Sequence, residues 1–253
     1  MTLSSARSCK VKESMPESSA RQQKSITSFF KNTAKAKPSR ELDLSVPGLS
    51  MIKDFISRQE EIQILSFLST QNWRTDLNRR VIHYGGSYCL LPPRHASAKE
   101  RQRIENDIVI AEPMPSALDF LISRMIEQRL YLEEEKPEYC IVNEYTDNQG
   151  ISAHVENFKF GEPVCGLTMG NGDWMRFHEL TRPDDGSVRS GKAAKAERTG
   201  HKQDVWLPPR SLLVMRRDAR SNWQHQICRS WRGRRLNDDW KRISLTFRVG
   251  ART

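Results

Sequence analysis

The sequence predicts a mainly β fold of the α+β class, with helices ahead of a β-rich C-terminal half. Three observations carry that expectation. Beyond Tyr139, seven short segments, 139–145, 151–157, 164–169, 174–179, 211–216, 223–228 and 242–249, read as candidate strands, and in the last of them apolar and polar residues alternate, the period of a strand with one face on a core. Ahead of Tyr139, two segments carry helical spacing instead. The chain has 253 residues, enough for one substantial core, and a β-rich fold of this size commonly forms a single domain.

The elements follow in order. Residues 1 to about 45 are rich in Ser, Lys, Arg and Pro; such a segment cannot bury enough apolar surface to offset its ordering entropy, so a disordered basic tail is expected. One apolar island interrupts it, with Gln23, Ile26, Phe29 and Phe30. The globular domain, 46–253, begins near Val46-Pro47-Gly48-Leu49. Ser57 and Glu60 have capping-box spacing, and Ile62, Leu65 and Leu68 follow as the expected buried stripe of a first helix. A second helix is expected from Pro115-Ser116, with Leu118, Leu121, Ile122 and Met125 toward the core. Between them, Trp73 to about Ala98 reads as loop or short hairpin, with Trp73 itself packing on the core. The Gly-, Asp-, Lys- and Arg-rich run from Arg182 to Lys202 reads as a long, mobile, basic insertion. No internal repeat is visible.

Lys and Arg outnumber Asp and Glu by 41 to 31, a net charge of +10, which favours polyanionic partners. Five scattered cysteines form no CxxC pair; this argues against a zinc ribbon or a secreted disulfide framework and suits a reducing compartment. No stretch is apolar enough to span a bilayer, and the N-terminus lacks a signal-peptide core. A cytosolic or nuclear monomer without membrane contact is expected.

A dispersed polar set carries the chemistry. His154 and Glu156 are two apart, so on a strand they share a face. With His225 they make two histidines and a carboxylate, the facial triad of non-haem Fe(II). In the last expected strand Arg242, Ser244, Thr246 and Arg248 share one face, while Ile243, Leu245 and Phe247 share the other. The apolar face packs on a neighbouring layer, and the polar face must look into a wet or ligand-filled space. Two arginines there suit a dicarboxylate, and Asn143 and Tyr145, again on one face, add hydrogen-bonding groups. Each piece alone has an ordinary reading as surface, satisfied core or charged edge; their order and spacing together raise the signal.

Across roughly 46–250 this pattern resembles the AlkB family of Fe(II)/2-oxoglutarate dioxygenases. The resemblance lies in Asn143-x-Tyr145, Gly150-Ile-Ser-x-His154-x-Glu156, Pro209 to Met215 through Trp223-x-His225, and Arg242-x-Ser-Leu-Thr-Phe-Arg248. It implies a double-stranded β-helix (jelly roll) core with flanking N-terminal helices and a nucleotide-recognition lid, and the cofactors Fe(II), 2-oxoglutarate and O2. It also implies that His154, Glu156 and His225 bind iron. Arg242 would pair with the distal carboxylate of 2-oxoglutarate, and Arg248 would hold the carboxylate near the metal or orient Glu156. Asn143 and Tyr145 would complete the pocket. The implied activity is oxidation of an N-alkyl carbon on a base, with the alkyl group leaving as an aldehyde. Two positions depart from the family: Glu156 stands where aspartate is usual, and Arg217 stands in a turn that commonly shows glycine.

Dealkylation requires the base to leave its stack. Arg79, Tyr84 and Tyr88, with Arg80 and His83, stand where the family's lid would be and are the candidate substrate contacts; simple packing is the alternative for the tyrosines. The run 229–235, with Arg229, Arg232, Arg234 and Arg235, is a candidate phosphate clamp or a solvated basic loop. Gln23-x-x-Ile26-x-x-Phe29-Phe30 resembles the PIP box, which binds the PCNA sliding clamp, and it shifts the expectation toward nuclear DNA repair. An RNA demethylase with the same chemistry and a catalytically silent nucleic-acid adaptor, favoured by Glu156, stay open beside it.

Overall fold

Period-two patterning closes into two antiparallel sheets. A computed structural model describes residues 39–88, 97–99, 102, 109–146, 149–184, 196–229 and 239–251. The motif of Gln23, Ile26, Phe29 and Phe30, residues 185–195 of the basic insertion and residues 230–235 of the arginine run lie outside these.

The strands are β1 (Leu42–Asp43), β2 (Leu49–Ile52), β3 (Arg80–Tyr84), β4 (Ser87–Tyr88), β5 (Val109–Ile110), β6 (Tyr139–Tyr145), β7 (Ile151–His154), β8 (Val164–Gly170), β9 (Asp173–Leu180), β10 (Arg198–Leu207), β11 (Leu212–Met215), β12 (Trp223–Ile227) and β13 (Arg242–Arg248). A large sheet runs β1-β2-β11-β8-β13-β6-β3 and a small one β10-β9-β12-β7, with β4 and β5 paired separately. This is the expected jelly-roll architecture. All seven segments expected to be strands contain one. The Trp73–Ala98 stretch supplies β3, which extends the large sheet against β6, and β4.

The large sheet is covered on both faces. One meets the helices α1 (Arg58–Ser69) and α2 (Asp119–Glu127) through Ile64, Leu68, Leu118, Leu121 and Met125, which pack with Val142, Leu167, Val214, Leu245 and Phe247. The other closes one end of the space between the sheets, where Leu49, Met51, Leu213 and Met215 meet Phe177, Val205, Leu207, Trp223 and Ile227. Ile243, Leu245 and Phe247 lie in the helix-side core as expected.

The second helix opens as a 3-10 turn at Ser116–Leu118 and buries all four residues expected of it. The first has its capping box, with Ser57 and Glu60 bonded reciprocally, but its buried face differs. Ile62 is 50% exposed, whereas Glu60, Glu61 and Gln63 are buried with Ile64 and Leu68. Ion pairs turn the helix. Arg124 takes Glu60 at 2.6 Å, and Glu61 accepts from the Gly170 amide at 2.8 Å and pairs with Arg210 at 3.1 Å.

The basic insertion is shorter than expected, because β10 pairs with β9 from Arg198 onward. It is the edge of the small sheet, so most of its residues need no apolar cover; Val205 and Leu207 supply its core contact. At the turn flagged for its missing glycine, Arg217 has φ +48°, the left-handed conformation that glycine accepts without steric cost. It begins the short helix α3 (Arg217–Ser221).

Candidate metal and co-substrate centre

β7 and β12 are neighbours in the small sheet, and their register sets His154 opposite His225. The imidazole centroids are 4.4 Å apart. Gly150 permits this approach, since a Cβ there would lie 2.3 Å from the Ile227 carbonyl oxygen. Glu156 follows two residues after β7 ends and is buried. Its Oε1 lies 3.5 Å from His225 Nε2. Ligand atoms of His154, Glu156 and His225 all fall within 4.8 Å of one another, the one such group among the described residues.

The donor chemistry fits a divalent metal. His154 Nδ1 donates to the Ser152 carbonyl at 2.7 Å, which leaves Nε2 with its lone pair. Burial, reinforced by His225, pushes the His154 imidazole down to about 4, so it is neutral at physiological pH. Burial alone would raise Glu156, but Arg248 and His225 hold its carboxyl well below the usual range. His225 Nδ1 is buried without a hydrogen-bond partner among the described residues. A neutral His154 and an ionised Glu156 are the protonation states that metal binding requires of those two ligands.

Arg248 closes the group from the opposite sheet, donating from Nε to Glu156 Oε2 at 2.8 Å and from Nη2 to Oε1 at 3.2 Å. Of the two roles expected for Arg248, orientation of Glu156 is the contact the structure displays. Sequence reading missed Arg220, which is buried and donates to the carbonyls of Asn157 and Phe160 at 3.0 and 2.6 Å. It pins the loop that carries Glu156, a role no local motif announces.

A second polar group occupies the same interior face of the large sheet. Asn143, Ser244 and Thr168 sit opposite one another across β6, β13 and β8. Arg242 is buried, donates to Thr168 Oγ1 at 3.1 Å and lies 5.3 Å from the centroid of the Tyr145 ring. Arg79 arrives just ahead of β3, donating from Nε to Asn143 Oδ1 at 2.7 Å, with its guanidinium 5.8 Å from the same ring. Asn143, Tyr145 and Arg242 are therefore together, joined by Thr168, which sequence reading missed. Such donors suit an anion with several carboxylate oxygens.

The tyrosines grouped with Arg79 do not stay with it. Tyr84 and Tyr88 are 3% and 8% exposed. Tyr84 belongs to the helix-side core. Tyr88 donates to the Tyr84 carbonyl at 2.6 Å and packs near His83, Tyr139 and Phe160. Both are packing residues, because alternation along β3 turns Tyr84 toward the helices and the Gly85-Gly86 turn folds Tyr88 back under the sheet. Arg80 stacks on Trp73 at 4.7 Å and pairs with Glu144 at 3.0 Å.

Comparison with known proteins identifies the family. Residues 48–248 match the 2OG-Fe(II) oxygenase superfamily. An uncharacterized protein of Acanthamoeba polyphaga mimivirus is 29% identical over 79% of this chain and 84% of its own length. The Arabidopsis thaliana "Alkylated DNA repair protein ALKBH8 homolog" is 30% identical over 73% of this chain, which spans about half (52%) of that protein. More distant relatives bear the names RNA demethylase ALKBH10B, from Arabidopsis thaliana, and DNA N6-methyl adenine demethylase, from Caenorhabditis elegans. The structure of OsALKBH1 shares the fold, with a TM-score of 0.52 at 14% identity over 83% of this chain and 99% of that one. No described helix is long and apolar enough to cross a membrane. With AlkB-family homologues and a fold to match, the chain belongs to the 2OG-Fe(II) oxygenase superfamily, dioxygenases that use Fe(II), 2-oxoglutarate and O2.

Proposed function

We propose that this dioxygenase oxidatively removes alkyl groups from bases of nucleic acid, with alkylated DNA as its substrate. The carrying observation is that one interior holds both the His154, Glu156 and His225 cluster and the Asn143, Tyr145 and Arg242 group. In this reading His154, Glu156 and His225 hold Fe(II). Arg242 and Thr168 receive the distal carboxylate of 2-oxoglutarate beside Tyr145. Arg79 fixes the Asn143 amide by occupying its Oδ1, which leaves Nδ2 to donate to the co-substrate. Iron, when bound, would supply the oxidising chemistry by which 2-oxoglutarate and O2 become succinate and CO2 while the alkyl carbon is hydroxylated. Arg248 keeps Glu156 ionised and oriented. Glutamate offers the same donor atoms as aspartate on a longer stem, and Arg248 and the Arg220-pinned loop fix that stem.

DNA is favoured by the tail: Gln23, Ile26, Phe29 and Phe30 would form a clamp-binding plug for PCNA, placing the enzyme in the nucleus at replication sites. RNA is the second reading, favoured by relatives named as RNA demethylases. A panel of methylated DNA and RNA oligonucleotides, incubated with Fe(II) and 2-oxoglutarate and read by mass spectrometry, separates them. Demethylation of DNA strands is expected; turnover confined to RNA overturns the DNA assignment. No succinate release on any substrate, even after Glu156→Asp, would leave a silent adaptor. Phe29→Ala with Phe30→Ala is expected to abolish PCNA binding while leaving solution turnover intact, and undiminished clamp binding removes the tether.

A further inference from the structure

The small sheet has a second face, which the proposed chemistry does not use. Along β9 and β10 alternate residues part: Phe177, Val205 and Leu207 enter the core, while Trp174, Arg176 and His178, with their register partners Trp206, Asp204 and Lys202, turn the other way. Trp174 and Trp206 stand directly opposite one another, ring centroids 5.4 Å apart and planes tilted by 58°. They are 40% and 43% exposed. A cross-strand aromatic pair stabilises a sheet, but these two indoles retain much of their surface in water. The other exposed large hydrophobic residues among the described ones, Leu42, Ile62, Leu77, Ile110 and Leu132, are aliphatic, and exposed aliphatics need no special account.

Cations flank the pair. Arg176 donates to both carboxylate oxygens of Asp204 at 2.7 Å. Arg198 donates twice to Gln224 Oε1, at 3.0 and 2.7 Å, and Lys202 is exposed. Both guanidiniums are already ordered, which lowers the entropy lost on binding a ligand. Asp204 is the carboxylate among them and is engaged by Arg176. Exposed aromatics on an antiparallel sheet with basic neighbours match single-stranded nucleic acid, whose bases stack and whose phosphates need cations.

We propose that this outer face is a holding site for a single strand of nucleic acid, with bases on Trp174 and Trp206 and phosphates at Arg198 and Lys202. The inference rests on the nucleic-acid reading above and adds a surface on the far side of the sheet from His154 and His225. His154 lies on β7, at the opposite edge of the small sheet from β10, so only a long strand can span both. A second copy of this chain fits less well, since the chain's net charge is +10 and each copy would set cations against cations.

The test uses the full chain and labelled single strands of two lengths, a long one and a trinucleotide, followed by fluorescence anisotropy. Trp174→Ala with Trp206→Ala is expected to weaken the long strand about tenfold or more, leave the trinucleotide and its turnover unchanged, and regain affinity when both positions carry Phe. Arg198→Ala with Lys202→Ala should lower the salt dependence of long-strand binding by about one unit of slope or more. If the alanine pair does not fold, a 5-iodouracil strand photocrosslinked to the wild-type chain gives the same answer through the peptides it marks. Crosslinks on 173–180 or 198–207 support the site. Crosslinks confined to the barrel mouth, or unchanged long-strand affinity in a folded variant, overturn it and leave the proposed function standing. A variant that alters self-association without altering strand affinity makes the face a protein interface and also overturns it. If the wild-type chain binds no strand of either length, both readings fall.

Discussion

Among the described residues the chain buries two bidentate arginine–glutamate pairs, and the contrast between them shows what marks a site. Glu60 and Arg124 meet at 2.6 and 3.1 Å, and Glu156 and Arg248 at 2.8 and 3.2 Å. All four side chains are buried. The first pair is turned inward on itself: Glu60 also accepts from the Ser57 amide at 2.7 Å, and Arg124 donates to the Phe55 carbonyl at 2.8 Å. The second has further donors at hand, with His225 at 3.5 Å from Glu156 and His154 in the same cluster. Burial and pairing alone therefore do not signal function. Convergence of additional ligand atoms does.

The sharpest break between the pairs comes from neutralising each carboxylate. Glu156→Gln should lower Fe(II) affinity more than about a hundredfold, beyond the loss typical of outer-shell partners, and abolish succinate release. Glu60→Gln should cost about 3 kcal/mol of stability in urea unfolding, because Arg124 is left buried without its anion, with turnover per folded molecule unchanged. Equal metal affinity in the two variants would erase the distinction. Arg248→Lys comes next. It keeps the charge but loses the fork, and metal affinity should fall by about 10- to 100-fold, measured by competition with a chelator.

Acid sharpens the contrast through a different group. Burial pushes His83, His154 and His178 down to about 4 from an ordinary 6.5. A histidine that titrates lower folded than unfolded contributes stability that is full above 6.5 and lost as pH falls toward 4. Glu60, held low by Arg124 against the opposing effect of burial, loses its contribution only on further acidification, below its ordinary 4.5. The metal-free chain should therefore begin to lose stability near pH 6.5. His178→Gln should flatten that first slope and leave the carboxylate phase unchanged; an unaltered slope would contradict the burial of His178. The smallest effect expected is at Arg217, where glycine would relieve the φ of +48° and raise stability by about 1 kcal/mol.

What was legible locally can be traced residue by residue. The faces of β13 followed from its two-residue period, and the buried stripe of α2 from its helical period. Periodicity failed where charge pairing rather than hydrophobicity chose the face. Glu60 and Glu61 turn α1 so that Ile62 looks outward, because their partners Arg124 and Arg210 lie far away in the chain. It failed again at β10, whose polar edge sequence reads like a loop. Tyr84 and Tyr88 looked like lid residues because composition cannot tell which way a Gly-Gly turn redirects the chain.

The sequence by itself determined which residues share a strand face, and so that Arg242 and Arg248 look into one interior. Backbone geometry enforces that period within each strand. Only the tertiary structure decided that His225 would stand opposite His154, that Arg79 would reach Asn143 from 64 residues away, and that Thr168 and Arg220 would join the site. Those meetings depend on inter-strand register and loop closure, which arise from packing the whole chain and leave no local pattern.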